Sequence, residues 1–334
     1  MSKKRKTLGH KALLLLAGAL ALVLLAAGGA FLALSRNVTA NSEPLRIYLP
    51  PADNPRAAAD TLRAHGLTGH AALFGPLARA LKLDSRWHPG SYVVQPHTPV
   101  FRLIKRITRG QQDPLRLTIG KFRTPRQLND YLSQKMMHND FNVPLDSFHL
   151  VLPDTYEFYW TATPEQFMRR MAKEYSKAES TLWKGTAHAP LTSFRDAIIL
   201  ASIVEEETNN NAEKPVIASV YINRLRLGMP LQADPTVKYA VGDFALRRIL
   251  NRHLTVDSPF NTYRHPGLPP APICLPSKTS INAVLNAKQT AYLYFCASDR
   301  LDGTHRFAAS LADHNRNAEA YHRALDRLAT IKKR

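Results

Sequence analysis

From Ala12 to Leu34 the chain runs 23 residues without a charged side chain, rich in Leu, Ala and Val. At about 1.5 Å rise per residue, a helix of this length crosses the roughly 30 Å hydrocarbon layer of a bilayer. Lys3, Lys4, Arg5, Lys6 and Lys11 precede the run, and only Arg36 follows it closely. Cations concentrate on the cytoplasmic flank of a membrane span, so the asymmetry predicts a single-pass anchor over 12–34. Residues 1–11 would form a cytoplasmic tail, and everything after Arg36 would lie outside. The rival reading is a cleaved signal peptide with Val38-Thr39-Ala40 as its small-residue site. A signal core holds only about 7–15 apolar residues, which favours the retained anchor. Under both readings the bulk of the chain is exported. No later stretch reaches membrane length: Ala197 to Val204 is short and ends in carboxylates.

Export changes the meaning of the charge. The 334 residues include 45 Lys and Arg against 26 Asp and Glu, a formal net charge of +19. Such a balance ordinarily points to nucleic acid, which the topology opposes. With the five cations ahead of the anchor set aside, +14 remains beyond the membrane. That surplus suits a solvated basic surface facing anionic lipid, or attraction to an acidic envelope polymer, and charge alone leaves both open. Hydrophobic residues at 45% and charged residues at 21% exclude a wholly disordered or fibrous chain. Two cysteines, Cys274 and Cys296, neither make a disulfide framework nor carry zinc-ribbon spacing, and nothing in their positions says whether they pair.

Residues 35–44 are polar and read as a tether, and 45–119 as a small α+β module. In that module Leu45 to Leu49 and Ser91 to Val94 are strand-like, and Pro55 to Leu62, Leu73 to Leu83 and Pro99 to Arg109 have helical apolar spacing. Leu115 to Ile119 alternates like a strand. Beyond it, residues 120–334 are mainly helical, with expected helices over 124–137, 164–183, 194–208 and 212–227. Asp234-Pro235 is expected to cap and open a short helix. A Pro-, Gly- and Asn-rich stretch over 255–280 leads to two strands, 292–297 and 304–308, and a terminal helix over 313–332. The fold class is α+β with an N-terminal transmembrane helix, and no internal repeat occurs.

The stretch Ala197-Ile-Ile-Leu-Ala-Ser-Ile-Val-Glu-Glu-Glu-Thr208 is the most informative one. Ser193 and Asp196 resemble a capping box that starts the helix near Phe194. Its middle is apolar on nearly every face, so the helix is buried. Three carboxylates at its end are then unusual. Helix geometry sets Glu207 over Leu200, Ile203 and Val204, and Glu205 over Ile198, Ala201 and Ser202. A carboxylate beside apolar side chains at the negative end of a helix dipole has a raised pKa, as a general acid near neutral pH requires. Glu207 meets both conditions best and Glu205 second; a solvated acidic helix end is the alternative. Asn223, Gln232, Asp234, Thr236, Asn261 and Tyr263 follow, groups that hydrogen-bond sugar hydroxyls and acetamido groups but equally cap helices or hold turns. His305 and His314 lack the companions of a metal site. No P-loop, dinucleotide fingerprint or nucleophile elbow is present, so neither metal nor cofactor is expected.

The chain resembles the membrane-anchored endolytic murein transglycosylases, the MltG or YceG-like family. The likeness lies in Leu152-Pro-Asp-Thr-Tyr156, Ala201-Ser-Ile-Val-Glu-Glu-Glu-Thr208, Ala218-Ser-Val-Tyr-Ile-Asn-Arg-Leu-Arg-Leu-Gly-Met229 and Leu231-Gln-Ala-Asp-Pro-Thr-Val237. It continues through Asn261-Thr-Tyr263, Gly267-Leu-Pro-Pro270, Tyr292-Leu-Tyr-Phe295 and His314-Asn315. The motifs stand in family order over most of 85–325. Pro89-Gly90-Ser-Tyr92 marks a looser likeness to the family's LysM-like region over 45–119. Departures are Phe148-His-Leu150 where the family has an acidic residue and Gly, Lys214 for a common Arg, and Lys238 at a usually apolar position.

The resemblance implies that Glu207, the second glutamate of Glu-x-Glu-Thr, is catalytic, and that Asn223, Gln232, Asp234, Thr236, Asn261 and Tyr263 bind substrate. The implied reaction cuts the MurNAc–GlcNAc bond of peptidoglycan strands and leaves 1,6-anhydro-MurNAc ends, acting on nascent glycan to limit elongation. It would proceed at the inner membrane with the catalytic domain on the periplasmic side, in contact with peptidoglycan, the membrane and cell-wall synthesis proteins, and without nucleic acid. A non-catalytic peptidoglycan-binding scaffold would tolerate loss of Glu207. A hydrolytic muramidase would need a second carboxylate near the first.

Overall fold

The computed structural model describes residues 5–35, 43–52, 55–67, 71–83, 85–183, 188–246 and 248–332. Most of the expected tether, residues 36–42, and the first four residues of the expected tail lie outside the described residues. Helix α1 (Arg5–Ser35) is the one helix among the described residues long and apolar enough to cross a membrane. Its window Ala12–Gly29 has a mean hydropathy of 2.5 and no part of it is covered by protein.

The chain divides into two compact units, Met1–Arg116 with Glu157–Thr161, and Leu117–Tyr156 with Ala162–Arg334. The first holds β1 (Leu45–Leu49), α2 (Pro55–Ala64), α3 (Ala71–Ala80), β2 (Gly90–Val94) and α4 (Val100–Ile107). β1 and β2 pair antiparallel, with Leu45 opposite Val94 and Leu49 opposite Gly90. Alternation along β1 turns Ile47 and Leu49 inward, and α4 adds Val100, Leu103, Ile104 and Ile107 at helical spacing. The two elements share one apolar core with Leu62, Leu67, Leu83 and Tyr92. Gly90 is required by close approach, since a Cβ there would stand 2.9 Å from the Gln112 side chain. Asp113 pins the β2 edge by accepting from the Val93 N–H and from Arg106, both at 2.6 Å.

The remaining elements are β3 (Leu115–Ile119), α5 (Pro125–Lys135), a 3-10 turn (Leu145–Leu150), β4 (Asp154–Phe158), α6 (Pro164–Leu182), α7 (Phe194–Glu207) and α8 (Lys214–Arg226). They continue with α9 (Asp234–Val241), α10 (Asn251–Leu254), α11 (Lys278–Leu285), β5 (Tyr294–Ala297), β6 (His305–Ala308) and α12 (Leu311–Lys332). The strand β4, not singled out from the sequence, alternates as β1 does, with Tyr156 and Phe158 buried between exposed neighbours. Within the second unit α7 is the central post. Phe194 and every residue from Ala197 to Val204 are buried, and α8, α9, α11 and the 3-10 turn pack around it. Ser193 caps it by accepting from the Asp196 N–H at 3.1 Å, while the Asp196 carboxylate reaches back to Thr192 rather than to Ser193. β5 and β6 form an antiparallel hairpin with Tyr294 opposite Ala308, and α12 packs on it. Cys274 and Cys296 are free thiols, and Cys274 is buried against the Ser202 carbonyl.

Candidate active site

The end of α7 sorts its three carboxylates. Successive residues on a helix point about 100° apart, so each glutamate meets a different neighbour. Glu205 accepts from Ser280 Oγ at 2.5 Å, Ser277 Oγ at 2.6 Å and the buried Lys214 ammonium at 3.2 Å. Burial pushes its carboxyl up, but these donors outweigh that and hold it below the usual carboxylate range. Lys214, noted above as a departure from the family's Arg, is thus the ion-pair partner of Glu205. Glu206 pairs with Lys121 at 2.8 Å and with Arg123 at 3.1 Å.

Glu207 is treated differently. It opens into a pocket of about 270 Å³ and is otherwise enclosed, with one donor among the described residues, the Tyr221 hydroxyl, at 2.5 Å from Oε1. Loss of water pushes its carboxyl up to about 7. The Tyr221 hydrogen bond and Lys238 pull down, while Asp234 and Glu206 push further up. Burial and the Glu207 charge drive the Tyr221 phenol well above its ordinary range, so it stays a donor.

Besides Glu207, the pocket wall comes from five segments: α8, residues 231–234, Tyr263, the start of β5 and His314. Tyr221 and Arg224 stand three residues apart on one face of α8. Arg224 is buried, with no ion-pair carboxylate among the described residues. Its guanidinium donates instead to the carbonyls of Leu293 at 2.7 Å, Leu231 at 3.0 Å and Pro230 at 3.1 Å and to Gln232 Oε1, and lies over the Tyr294 ring. One side chain therefore holds the 230–232 turn and the 293–294 strand in place. Gln232 adopts a left-handed backbone at φ 52°, and its N–H donates to the Thr262 carbonyl at 3.1 Å. Tyr294 stacks on His314, whose imidazole burial and the Arg224 charge hold below its ordinary pKa.

Of the residues singled out in the sequence, Glu207, Gln232, Asp234 and Tyr263 line this one pocket. Asp234 does not act as the helix cap that Asp-Pro spacing predicts. The cap position of α9 is Ala233, and the Asp234 carboxylate accepts from the Tyr263 hydroxyl at 2.6 Å. Thr236 and Asn261 lie beneath the wall, fully buried. Thr236 bonds the Ala233 carbonyl and shares a hydrogen bond with Thr262, while Asn261 donates to the Leu254 and Val256 carbonyls and accepts from the Tyr263 N–H. Asn223 is not in the pocket. Two residues on from Tyr221, it faces another side of α8 and donates to the carbonyls of Thr290 at 2.8 Å and Tyr292 at 3.0 Å. Sequence reasoning missed Tyr221 and Arg224 as pocket groups, although their spacing on a helix after the glutamates is a readable signal. It also missed Tyr294, Phe295 and His314, which only the tertiary packing brings here.

Among the described residues no group of three His, Cys, Asp or Glu side chains is placed to hold a metal. His305 bonds Glu213 instead, at 2.8 Å. The pocket thus presents one carboxyl poised to exchange a proton near neutral pH, amid phenols, an amide, a guanidinium and a second, hydrogen-bonded carboxylate.

The Bacillus subtilis protein named endolytic murein transglycosylase is 34% identical over 197 residues, covering 59% of this chain and 53% of its own length. A Streptococcus pneumoniae protein of the same name is 31% identical over 171 residues, covering 50% of this chain and 31% of its own length. The chain spans about half the length, or less, of these relatives. A crystal structure of a yceG-like protein from Listeria monocytogenes is 25% identical with a TM-score of 0.49, covering 83% of this chain and 99% of the other. The family model of the YceG-like family matches residues 47–320, most of the chain, and the protein belongs to that family.

Proposed function

We propose that this protein is an endolytic lytic transglycosylase that cleaves the bond between N-acetylmuramic acid and N-acetylglucosamine in peptidoglycan strands. The observation that carries this reading is Glu207, a carboxyl pushed up to about 7 at the mouth of a pocket lined with sugar-binding groups. Its support beyond the site is family membership and the likeness to proteins named endolytic murein transglycosylase. Protonated Glu207 donates its proton to the glycosidic oxygen, which leaves with the bonding pair as positive charge develops on the muramyl ring. The resulting carboxylate then takes the proton of the muramyl 6-hydroxyl as that oxygen bonds the anomeric carbon. The product is a 1,6-anhydro ring, no water is consumed, and Glu207 ends protonated again.

Gln232, Asp234 and Tyr263 orient the muramyl ring, with Tyr263 aligned by its bond to Asp234. Thr236 and Asn261 act through the backbone they hold, and Asn223 through the strand it ties to α8. In this reading α1 is a single-pass anchor in the inner membrane with its N-terminus in the cytoplasm. A LysM-like module over 45–119 and the catalytic domain over 120–334 would work on the periplasmic side, on nascent glycan beside wall-synthesis proteins.

The test is to incubate the full chain in detergent with purified peptidoglycan and identify product ends by mass spectrometry. Anhydromuramyl ends are expected. Reducing ends would replace this mechanism by hydrolysis, with Asp234 as the second carboxylate, and no cleavage would leave a glycan-binding scaffold.

A further inference from the structure

Glu207 lines two cavities. Besides the pocket described above, it forms part of the wall of a second one of about 630 Å³, more than twice the volume of the first. This cavity lies between the 208–210 loop after α7, the β5–β6 turn and α12. Its character is different. Among its described lining residues the sole carboxylate is Glu207 itself, whereas the first pocket adds Asp234 and three tyrosines.

The α12 side of the second cavity is apolar yet open. Leu325 is 37% exposed and Leu328 41%, and Leu301 on the hairpin turn faces them at 37%. Scattered single leucines on a surface need no account, but three converging on one cavity beside a titrating carboxyl form a patch of the kind that meets a ligand. Asn209, Asn210 and Tyr321 also line it. The hairpin side is held in place. The carboxylate of Glu213 at the start of α8 accepts from the His305 N–H and bonds its ring Nδ1, both at 2.8 Å.

We propose that this second cavity holds the sugars on the leaving-group side of the cut, with Leu301, Leu325 and Leu328 against the apolar face and acetamido methyl of N-acetylglucosamine. The assignment rests on the transglycosylase reading and gives it a direction. The developing positive charge belongs on the muramyl ring, so that ring sits beside Asp234 in the first pocket. The leaving sugar, which stays neutral and receives the Glu207 proton, then occupies the cavity without further carboxylates. A strand continuous through both cavities passes Glu207 at an internal bond, so cleavage within a chain follows from the shared wall.

The experiment compares full-length wild type, Leu325→Asp, Leu328→Ser and Glu207→Gln on purified uncrosslinked glycan strands, with thermal melts alongside. Both leucines are more than a third exposed, so the melts should stay close to wild type. Leu325→Asp should lower kcat/KM at least tenfold through KM, Leu328→Ser less, with anhydromuramyl ends still formed. Should Leu325→Asp melt early, Leu328→Ser decides. Wild-type KM in the folded leucine variants, with Glu207→Gln inactive, overturns the leaving-side assignment and leaves the transglycosylase reading intact. Normal cleavage by Glu207→Gln overturns both.

Discussion

Glu205 and Glu207 end the same helix two residues apart, feel the same negative helix end and start from the same ordinary pKa, yet they are pushed in opposite directions. Around Glu205 the chain supplies two serine hydroxyls and the buried Lys214, and the carboxylate is a cornerstone joining α7, α8 and α11. Around Glu207 it supplies one phenol and withholds water. Depth and donors both separate the two: Glu207 is the more completely cut off from water and has the fewer donors. A carboxylate given enough donors stabilises the fold as an anion, and one given too few is kept as an acid.

The comparison breaks most visibly in catalysis. Glu207→Gln keeps volume and hydrogen bonding but has no proton to deliver, so release of anhydromuramyl ends should fall by at least about 10²–10⁴, the usual worth of general acid–base catalysis. Normal turnover in that variant, with Glu205→Gln inactive, would mean the roles are reversed. Next in size is stability. Glu205→Ala leaves Lys214 buried without its partner and should cost about 3–5 kcal/mol in chemical denaturation. Glu205 is therefore no neutral control for Glu207.

The pH dependence sharpens the contrast. Glu207 is harder to ionise folded than unfolded, so its contribution to stability is neutral near pH 4 and turns unfavourable as pH rises from 4.5 through about 7. Above that, Glu207→Gln should be the more stable protein by up to about 3 kcal/mol, measured by denaturation at pH 5 and pH 8. Equal stability at both would show that Glu207 is not held as an acid. Cleavage needs the protonated form, so kcat/KM should decline above about pH 7. The smallest expected effect is that of Tyr221→Phe. Its hydroxyl favours the Glu207 anion, so its removal should carry the alkaline limb of the rate profile to higher pH; an unmoved limb would show that the 2.5 Å bond does not tune the acid.

Much of this was legible in residue order. The apolar run within α1, the buried course of α7 and the position of Glu207 follow from hydrophobic periodicity, and β5 and β6 fall within the two strands expected over 292–297 and 304–308. The polar residues after α8 were less legible, for a chemical reason. The amides and hydroxyls that bind a sugar also bind backbone carbonyls in a Pro-rich loop. Asn261 and Thr236 went to the backbone, while Gln232 and Tyr263 stayed at the pocket. Nothing local separates these cases. Arg224 was hidden for the opposite reason, since a cation on a helix ordinarily faces water, and here four oxygens from the 230–232 and 293 segments make burial acceptable.

The adjacent side chains Asn223 and Arg224 grip the carbonyls of Thr290, Tyr292 and Leu293 in turn, so α8 works as a ruler for a segment that has not yet reached its partner strand. Its consequence is an uneven tolerance to changes of length. One residue added in the exposed turn near Asp302 leaves the ruled segment where it is. One added between Thr290 and Tyr294 shifts every later side chain by one step and turns Tyr294 and Phe295 over, away from Glu207. An insertion scan from 290 to 303 should therefore show activity vanishing at the near end and surviving at the far end. Uniform tolerance would mean that α8 does not set the register. Relatives that vary in length here are expected to do so in the hairpin turn.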